Sequence, residues 1–114
     1  MITLETYVQQ IFWLANSNLI GNVTKSTRAI LLKVDEEKKV FHVKGFFNNP
    51  VSGLNEDTIV DLAEEMFEDG KRSGVTIAEF TYECVYTEEK LEHPKAGSNE
   101  YWLFLRYEDL PDIF

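Results

Sequence analysis

Residues 54–70, LNEDTIVDLAEEMFEDG, constrain the fold of this chain more than any other stretch. At ~100° per residue, Ile59, Val60, Leu62, Ala63, Met66 and Phe67 fall on one arc of a helix. Asp57, Asp61, Glu64, Glu65, Glu68 and Asp69 fall on the opposite arc. A helix built this way needs an apolar layer on one side and water, or a basic surface, on the other. Asn55 is suited to cap it, because its side-chain oxygen can accept from a free N–H of the first turn. Leu54 and Ile59 have the spacing of a hydrophobic staple, and Gly70 can take the left-handed conformation that ends a helix.

The acidic arc opposes helix formation. Asp57–Asp61, Asp61–Glu65, Glu64–Glu68 and Glu65–Asp69 are like-charge pairs four apart, each costing roughly 0.2–0.5 kcal/mol. Glu68 and Asp69 also lie at the negative end of the helix dipole, which Lys71 and Arg72 partly offset. Between Asn55 and Gly70 the chain has no Lys or Arg. A solvated face accounts for such a run. So does a docking face for a basic partner, which would relieve the repulsion on binding.

The remaining elements can be placed around this helix. Residues 3–16 read as a first helix, with Thr3 as cap, Ile2 and Tyr7 as staple, and Leu4, Tyr7, Val8, Ile11, Leu14 and Ala15 as its buried stripe. Residues 16–27 form a loop of turn formers whose Leu19, Ile20 and Val23 return to the core. RAILLKVDEEKKVFHVKGFF reads as a β-hairpin: strand 29–34, turn 35–39, strand 40–47. Ile30, Leu32 and Val34 share one face of the first strand, and Phe41, Val43 and Phe47 one face of the second, with Gly45 as a candidate bulge.

After Gly74, VTIAEFTYECVY gives a third strand with Ala78, Phe80, Tyr82, Cys84 and Tyr86 toward the core. Residues 88–100 are an acidic loop carrying Glu88, Glu89, Glu92 and Glu100. YWLFLRYE, residues 101–108, is a fourth strand. It is apolar on both faces at its start, with Trp102 and Phe104 on one face and Tyr101, Leu103 and Leu105 on the other, so an inner position is expected. The order α-β-β-α-β-β predicts a single α+β domain over residues 1–114, with two helices on a four-stranded antiparallel sheet.

Charge narrows the function classes. The chain carries 20 acidic and 11 basic residues and a net charge of −9, a field that repels nucleic acid and anionic membrane and attracts basic proteins. A single cysteine excludes an internal disulfide and suits a reducing compartment. MITLETYVQQ has neither the basic region nor the apolar run of a secretory signal, and no run is long enough to span a membrane. A cytoplasmic protein is expected.

Catalytic signatures are missing from the sequence: it has no phosphate-cradling glycine loop, no GxSxG, no HExxH and no CxxC. His42 lies in mid-strand and His93 before a proline, so neither comes with a partner at catalytic spacing. Cys84 alternates with aromatics and reads as a small buried apolar residue. Neither a zinc nor a di-iron ligand pattern is present, and DEEKK in the hairpin turn is no calcium loop. No cofactor or metal is expected. A hydrolase or isomerase built on His42 and a carboxylate requires His42 to be buried beside that carboxylate in a concave pocket. Trp102 and Phe104 beside Arg106 offer a second candidate surface, suited to an adaptor or a dimer.

Taken together, the N-terminal helix, the hairpin RAILLKVDEEKKVFHVKGFF, the helix GLNEDTIVDLAEEMFEDG and the closing YWLFLRYE resemble the small immunity proteins of bacterial contact-dependent growth inhibition and related polymorphic toxin systems. The likeness runs from about Val8 to Glu108. It implies an inhibitor that binds the C-terminal toxin domain of one cognate effector in the cytoplasm, without enzymatic activity or cofactor, and it transfers no individual residues. A nuclease toxin would be basic because it holds phosphates. The carboxylates of Asp57, Asp61, Glu64, Glu65 and Glu68 are the expected contacts, with Glu88, Glu89 and Glu92 second. The sequence leaves the oligomeric state open.

Overall fold

The structure is a computed structural model and describes residues 6–48 and 53–106. Its elements are α1 (Tyr7–Ser17), β1 (Thr27–Asp35), β2 (Val40–Phe47), α2 (Gly53–Ser73), β3 (Glu79–Tyr86) and β4 (Glu100–Leu105). They form one α+β fold whose sheet has the strand order β3-β2-β1-β4. β1 pairs antiparallel with both β2 and β4, but β2 and β3 are parallel. The expected antiparallel sheet is therefore corrected to a mixed one. The reason lies in α2. A helix of 21 residues carries the chain back along the sheet, so β3 starts at the same end as β2, and neighbouring strands joined by such a crossover run parallel.

Both helices lie on one face of the sheet. Ile11, Leu14 and Ala15 of α1 and Ile59, Leu62, Ala63 and Met66 of α2 are buried with Ile30, Leu32, Val34, Phe41, Val43 and Phe47 from the central strands. The hairpin alternation holds as read. Gly45 is not a bulge, because β2 is in regular register there and the irregularities fall elsewhere, at Arg28 in β1 and at Leu103 in β4, opposite Ile30 and Leu31. Its role is close approach: a Cβ on Gly45 would stand 2.6 Å from Ile59 Cδ1.

The helix ends differ from expectation in an instructive way. Thr6 caps α1 in a capping box, its hydroxyl accepting from Gln9 N while Gln9 Oε1 accepts from Thr6 N. The expected Thr3 cap, Ile2 and Leu4 lie outside the described residues, and the helix begins at Tyr7. Tyr7 is buried, and its hydroxyl donates to Thr76 O. Asn55 is not the cap of α2. It sits inside the helix, 5% exposed, and its Oδ1 accepts from the Thr24 hydroxyl. Leu54 makes no staple, being 68% exposed. Gly70 does not end the helix either. A Cβ there would meet Ile77 Cδ1 at 2.7 Å and Leu14 Cδ1 at 3.3 Å, so its missing side chain lets β3's approach segment and α1 close on α2. The helix continues to Ser73, and Gly74, at φ +78°, breaks it.

The outer strands need two further corrections. β4 is an edge, not an inner strand. Its register slips between Ile30 and Leu31, so that Tyr101 and Phe104 lie opposite Leu32 and Ile30 on the helix face, whereas Trp102 lies opposite Leu31 on the other. β3 forms the opposite edge and starts at Glu79, later than expected. Phe80 and Cys84 pack on the core as read, but Tyr82 and Tyr86 remain exposed, and Ile77, ahead of the strand, takes a core place. In the loop before β1, Leu19 and Val23 return to the core, but Ile20 is 94% exposed.

Candidate functional site

On α2, Asp57, Asp61, Glu64, Glu65 and Glu68 are all exposed, on the side of the helix turned away from the sheet. Asp69, at the border of this face, is held by Asn18 Nδ2 at 2.8 Å and by the Arg72 guanidinium. These two hydrogen bonds keep its carboxyl below the usual range. Glu65 has a long contact, 3.4 Å, from Asn22 Nδ2. The surface is thus a row of solvated carboxylates whose tethers among the described residues lie at its edge, from Asn18 and Asn22 after α1 and from Arg72 at the end of α2.

Glu88, Glu89 and Glu92 are also exposed; Glu88, just past β3, hydrogen-bonds the Tyr86 side chain, whereas Glu89 and Glu92 lie on the other face of the sheet. The chain must pass from β3 at one edge to β4 at the other, and residues 87–99 cross the face that carries no helix. Arg28 anchors this crossing. It is 6% exposed, and its Nη1 donates to Thr87 O at 2.7 Å and to Glu89 O at 2.8 Å. Trp102 lies under the loop, edge-on to Phe46, with its indole N–H donating to His93 Nδ1. Open depressions of about 280 Å³ flank it on either side, and Glu92 lines both. Glu89 and Glu92 are therefore separated from the α2 carboxylates by the sheet, while Glu88 stays at the end of the β3 edge. Trp102 and Phe104 do not form one patch, since the bulge in register sends them to opposite faces, and the first helix reaches β4 through Phe12 on Tyr101.

His42 is half-buried on the face away from the helices. Its Nδ1 lies 2.6 Å from the Thr81 hydroxyl and its Nε2 3.6 Å from Glu83 Oε1, a carboxylate that Lys44 Nζ also approaches at 3.9 Å. The open depression beside it, about 310 Å³, is lined by Lys33, Asp35, Lys38 and Glu79. His42 is thus neither enclosed nor free in solvent. The group forms a cross-strand polar ladder on a sheet surface. Cys84 is a free thiol on the helix side of β3, pushed up to about 11 by burial and by the Glu56 and Glu83 carboxylates. A thiol so disposed stays protonated and is a poor nucleophile. Among the described residues, no three His, Cys, Asp or Glu side chains gather to hold a metal ion, and no helix is long and apolar enough to cross a membrane.

Sequence reasoning missed Glu56, which lines a depression with Tyr82, Glu83 and Cys84 of β3, and the exposure of Tyr82 and Tyr86. The helical wheel places Glu56 within the apolar arc, between Phe67 and Ala63, and strand alternation alone does not tell an edge strand from a covered one.

The described residues form a two-layer α+β fold that displays a row of carboxylates on one long helix. The chain belongs to the MafI2 immunity protein family, which it matches over residues 8–108. The expected kinship with bacterial toxin immunity proteins therefore holds, and the family implies a cognate toxin as partner. No curated protein matches the chain.

Proposed function

We propose that this protein neutralises its cognate toxin by stoichiometric binding through the acidic face of α2, in the cytoplasm and without catalysis. The observation that carries the reading is the exposed row Asp57, Asp61, Glu64, Glu65 and Glu68, in a member of an immunity family. The helix bears this repulsion on a face that its own fold does not use. A basic partner would offset it on contact. The toxin is then a basic domain, such as a nuclease at the C-terminus of a secreted effector of a contact-dependent or related polymorphic system. Covering its phosphate-binding surface would exclude substrate.

Titration of the purified toxin domain tests this reading. Inhibition should be complete at about one equivalent, because a binder acts by occupancy. Complete inhibition at a small fraction of an equivalent would mean turnover and overturn the reading.

A further inference from the structure

The two edges of the sheet are unequal. β4 has six residues, and its pairing with β1 is broken by a bulge, a feature that blunts an edge against further pairing. β3 has eight residues and pairs with β2 without a break from Val40–Glu79 to Phe47–Tyr86. Among the described residues, no strand pairs with its outer side. Alternate backbone N–H and C=O groups therefore point off this edge in regular sequence.

The side chains along the edge have the composition of a binding surface. Tyr82 and Tyr86 are each 44% exposed and stand on the helix side of the strand. Glu79, Thr81 and Glu83 alternate with them on the other side and are exposed as well. From α2, Glu56 closes over the same strand: with Tyr82, Glu83 and Cys84 it lines an open depression of about 280 Å³. Phe67 packed on Phe80 fixes which flank of α2 faces β3. At ~100° per residue, Glu56, Val60 and Phe67 lie on that flank, followed by Glu64 and Asp57. Glu56 thus brings acidic charge to the strand edge, set apart from Glu64 and Asp57 by Val60 and by Phe67, over whose ring Lys71 Nζ lies 4.4 Å from the centroid.

We propose that the open edge of β3 receives an extended, basic segment of the partner protein by strand addition. Tyr82 and Tyr86 lie against its apolar side chains, and Glu56, Glu79 and Glu83 pair with its Lys or Arg residues. Main-chain pairing supplies affinity in such a mode, and the side-chain pockets supply specificity. The charge on the edge selects the occupant: Glu56, Glu79 and Glu83 outnumber Lys44, which approaches Glu83 at 3.9 Å, so a second copy would bring one acidic edge to another, whereas a basic strand would meet its complement. The inference rests on the immunity reading and locates the centre of its interface.

The experiment uses the full chain and the purified cognate toxin domain. Hydrogen exchange of the free and bound chain should show new protection at the alternate amides of residues 79–86 that point away from β2. A Y82A/Y86A double variant should weaken binding by about 30-fold or more, as loss of buried tyrosine anchors does. Glu83→Lys should also weaken binding, while circular dichroism of both variants remains that of the parent. Unprotected β3 amides in a complex that still forms would overturn this inference and leave the immunity reading standing. A parent chain that does not bind the toxin would overturn both. A free chain that dimerises with its β3 amides protected would show that the edge serves a second copy and overturn the choice of partner. If the double variant loses its fold, the exchange pattern of the parent complex decides alone.

Discussion

Gly45 lies directly beneath Ile59, so close that a single added methyl carbon would stand 2.6 Å from Ile59 Cδ1, 2.7 Å from its Cγ1 and 3.0 Å from Phe47 Cε2. This absence of a side chain sets how near α2 sits to the sheet. Gly45→Ala should therefore destabilise the protein by about 1–3 kcal/mol, the usual cost of overpacking a filled core, although alanine suits a strand better than glycine. Urea unfolding checks it. A neutral or stabilising result would mean that Ile59 swings aside freely and that the approach is not set here.

Arg28 holds the crossing loop through two main-chain carbonyls. Its charge is buried, so removing it takes away charge-assisted hydrogen bonds and frees the segment that covers Trp102. Arg28→Ala should cost about 2–3 kcal/mol. The tryptophan emission should shift to the red as Trp102 becomes wetter. Trp13 is already half-exposed and contributes little to any such change. Unchanged emission would show that the loop stays in place without the anchor.

The parts of this fold that are legible in sequence are those where local pattern and tertiary role agree. The β1–β2 hairpin is one: Ile30, Leu32 and Val34 alternate with polar or outward residues, and the pairing puts them opposite Gly45, Val43 and Phe41. The ends of α2 are not legible because Asn55 and Gly70, good terminators by type, serve instead in contacts with Thr24, Ile77 and Leu14 inside the helix. The parallel pairing of β2 with β3 follows from the crossover through α2, which hydrophobic alternation does not report. The bulge in β4 flips the side chains after Trp102, and no residue in YWLFLRYE announces it. The same contrast divides the site. The helical period placed the α2 carboxylates on the surface, but Tyr82 and Tyr86 sit in a strand whose alternation reads as core until the strand order makes it an edge.

Cys84 should react slowly in the native protein. A thiol at about 11 holds a far smaller thiolate fraction near pH 8 than an unfolded one at about 8.5, so labelling should be slower by about two orders of magnitude and accelerate on unfolding. The native rate should keep climbing with pH well past the unfolded value. A stopped-flow disulfide-exchange assay against pH measures both. A native rate equal to that in denaturant would place Cys84 in a different environment.

The acidic row should be dispensable for folding. Replacing Asp61, Glu64, Glu65 and Glu68 with Asn or Gln removes the like-charge pairs, so stability should stay level or rise by about 0.5–1.5 kcal/mol. Asp69 is the contrast. Its folded carboxyl titrates below the ordinary range because Asn18 and Arg72 hold the charged form, so its contribution is present above the unfolded pKa and is lost as pH falls through the folded one. Asp69→Asn should therefore flatten the acid limb of the stability–pH curve, whereas the other four substitutions should not remove this dependence. A large loss of stability in the fourfold variant would mean that those carboxylates make native contacts.

Association with the toxin domain should be steered by charge. The net charge of −9 and the uncompensated α2 face create a field that a basic partner meets before contact. The on-rate should fall steeply as salt rises, while dissociation changes less, since screening acts on the approach more than on the docked pair. Reversing Asp61, Glu64 and Glu65 to Lys should slow association and weaken protection of cells that express the toxin. His42→Ala should protect as well as the parent, because the imidazole is assigned no part in binding and no catalysis is proposed. Loss of protection on that substitution alone, with binding intact, would turn the ladder of Thr81, His42 and Glu83 from structure into chemistry. An on-rate indifferent both to salt and to the three lysines would remove α2 from the interface. The β3 edge, whose affinity comes from main-chain pairing and two tyrosines, could still hold the partner, and the exchange measurement would show whether it does.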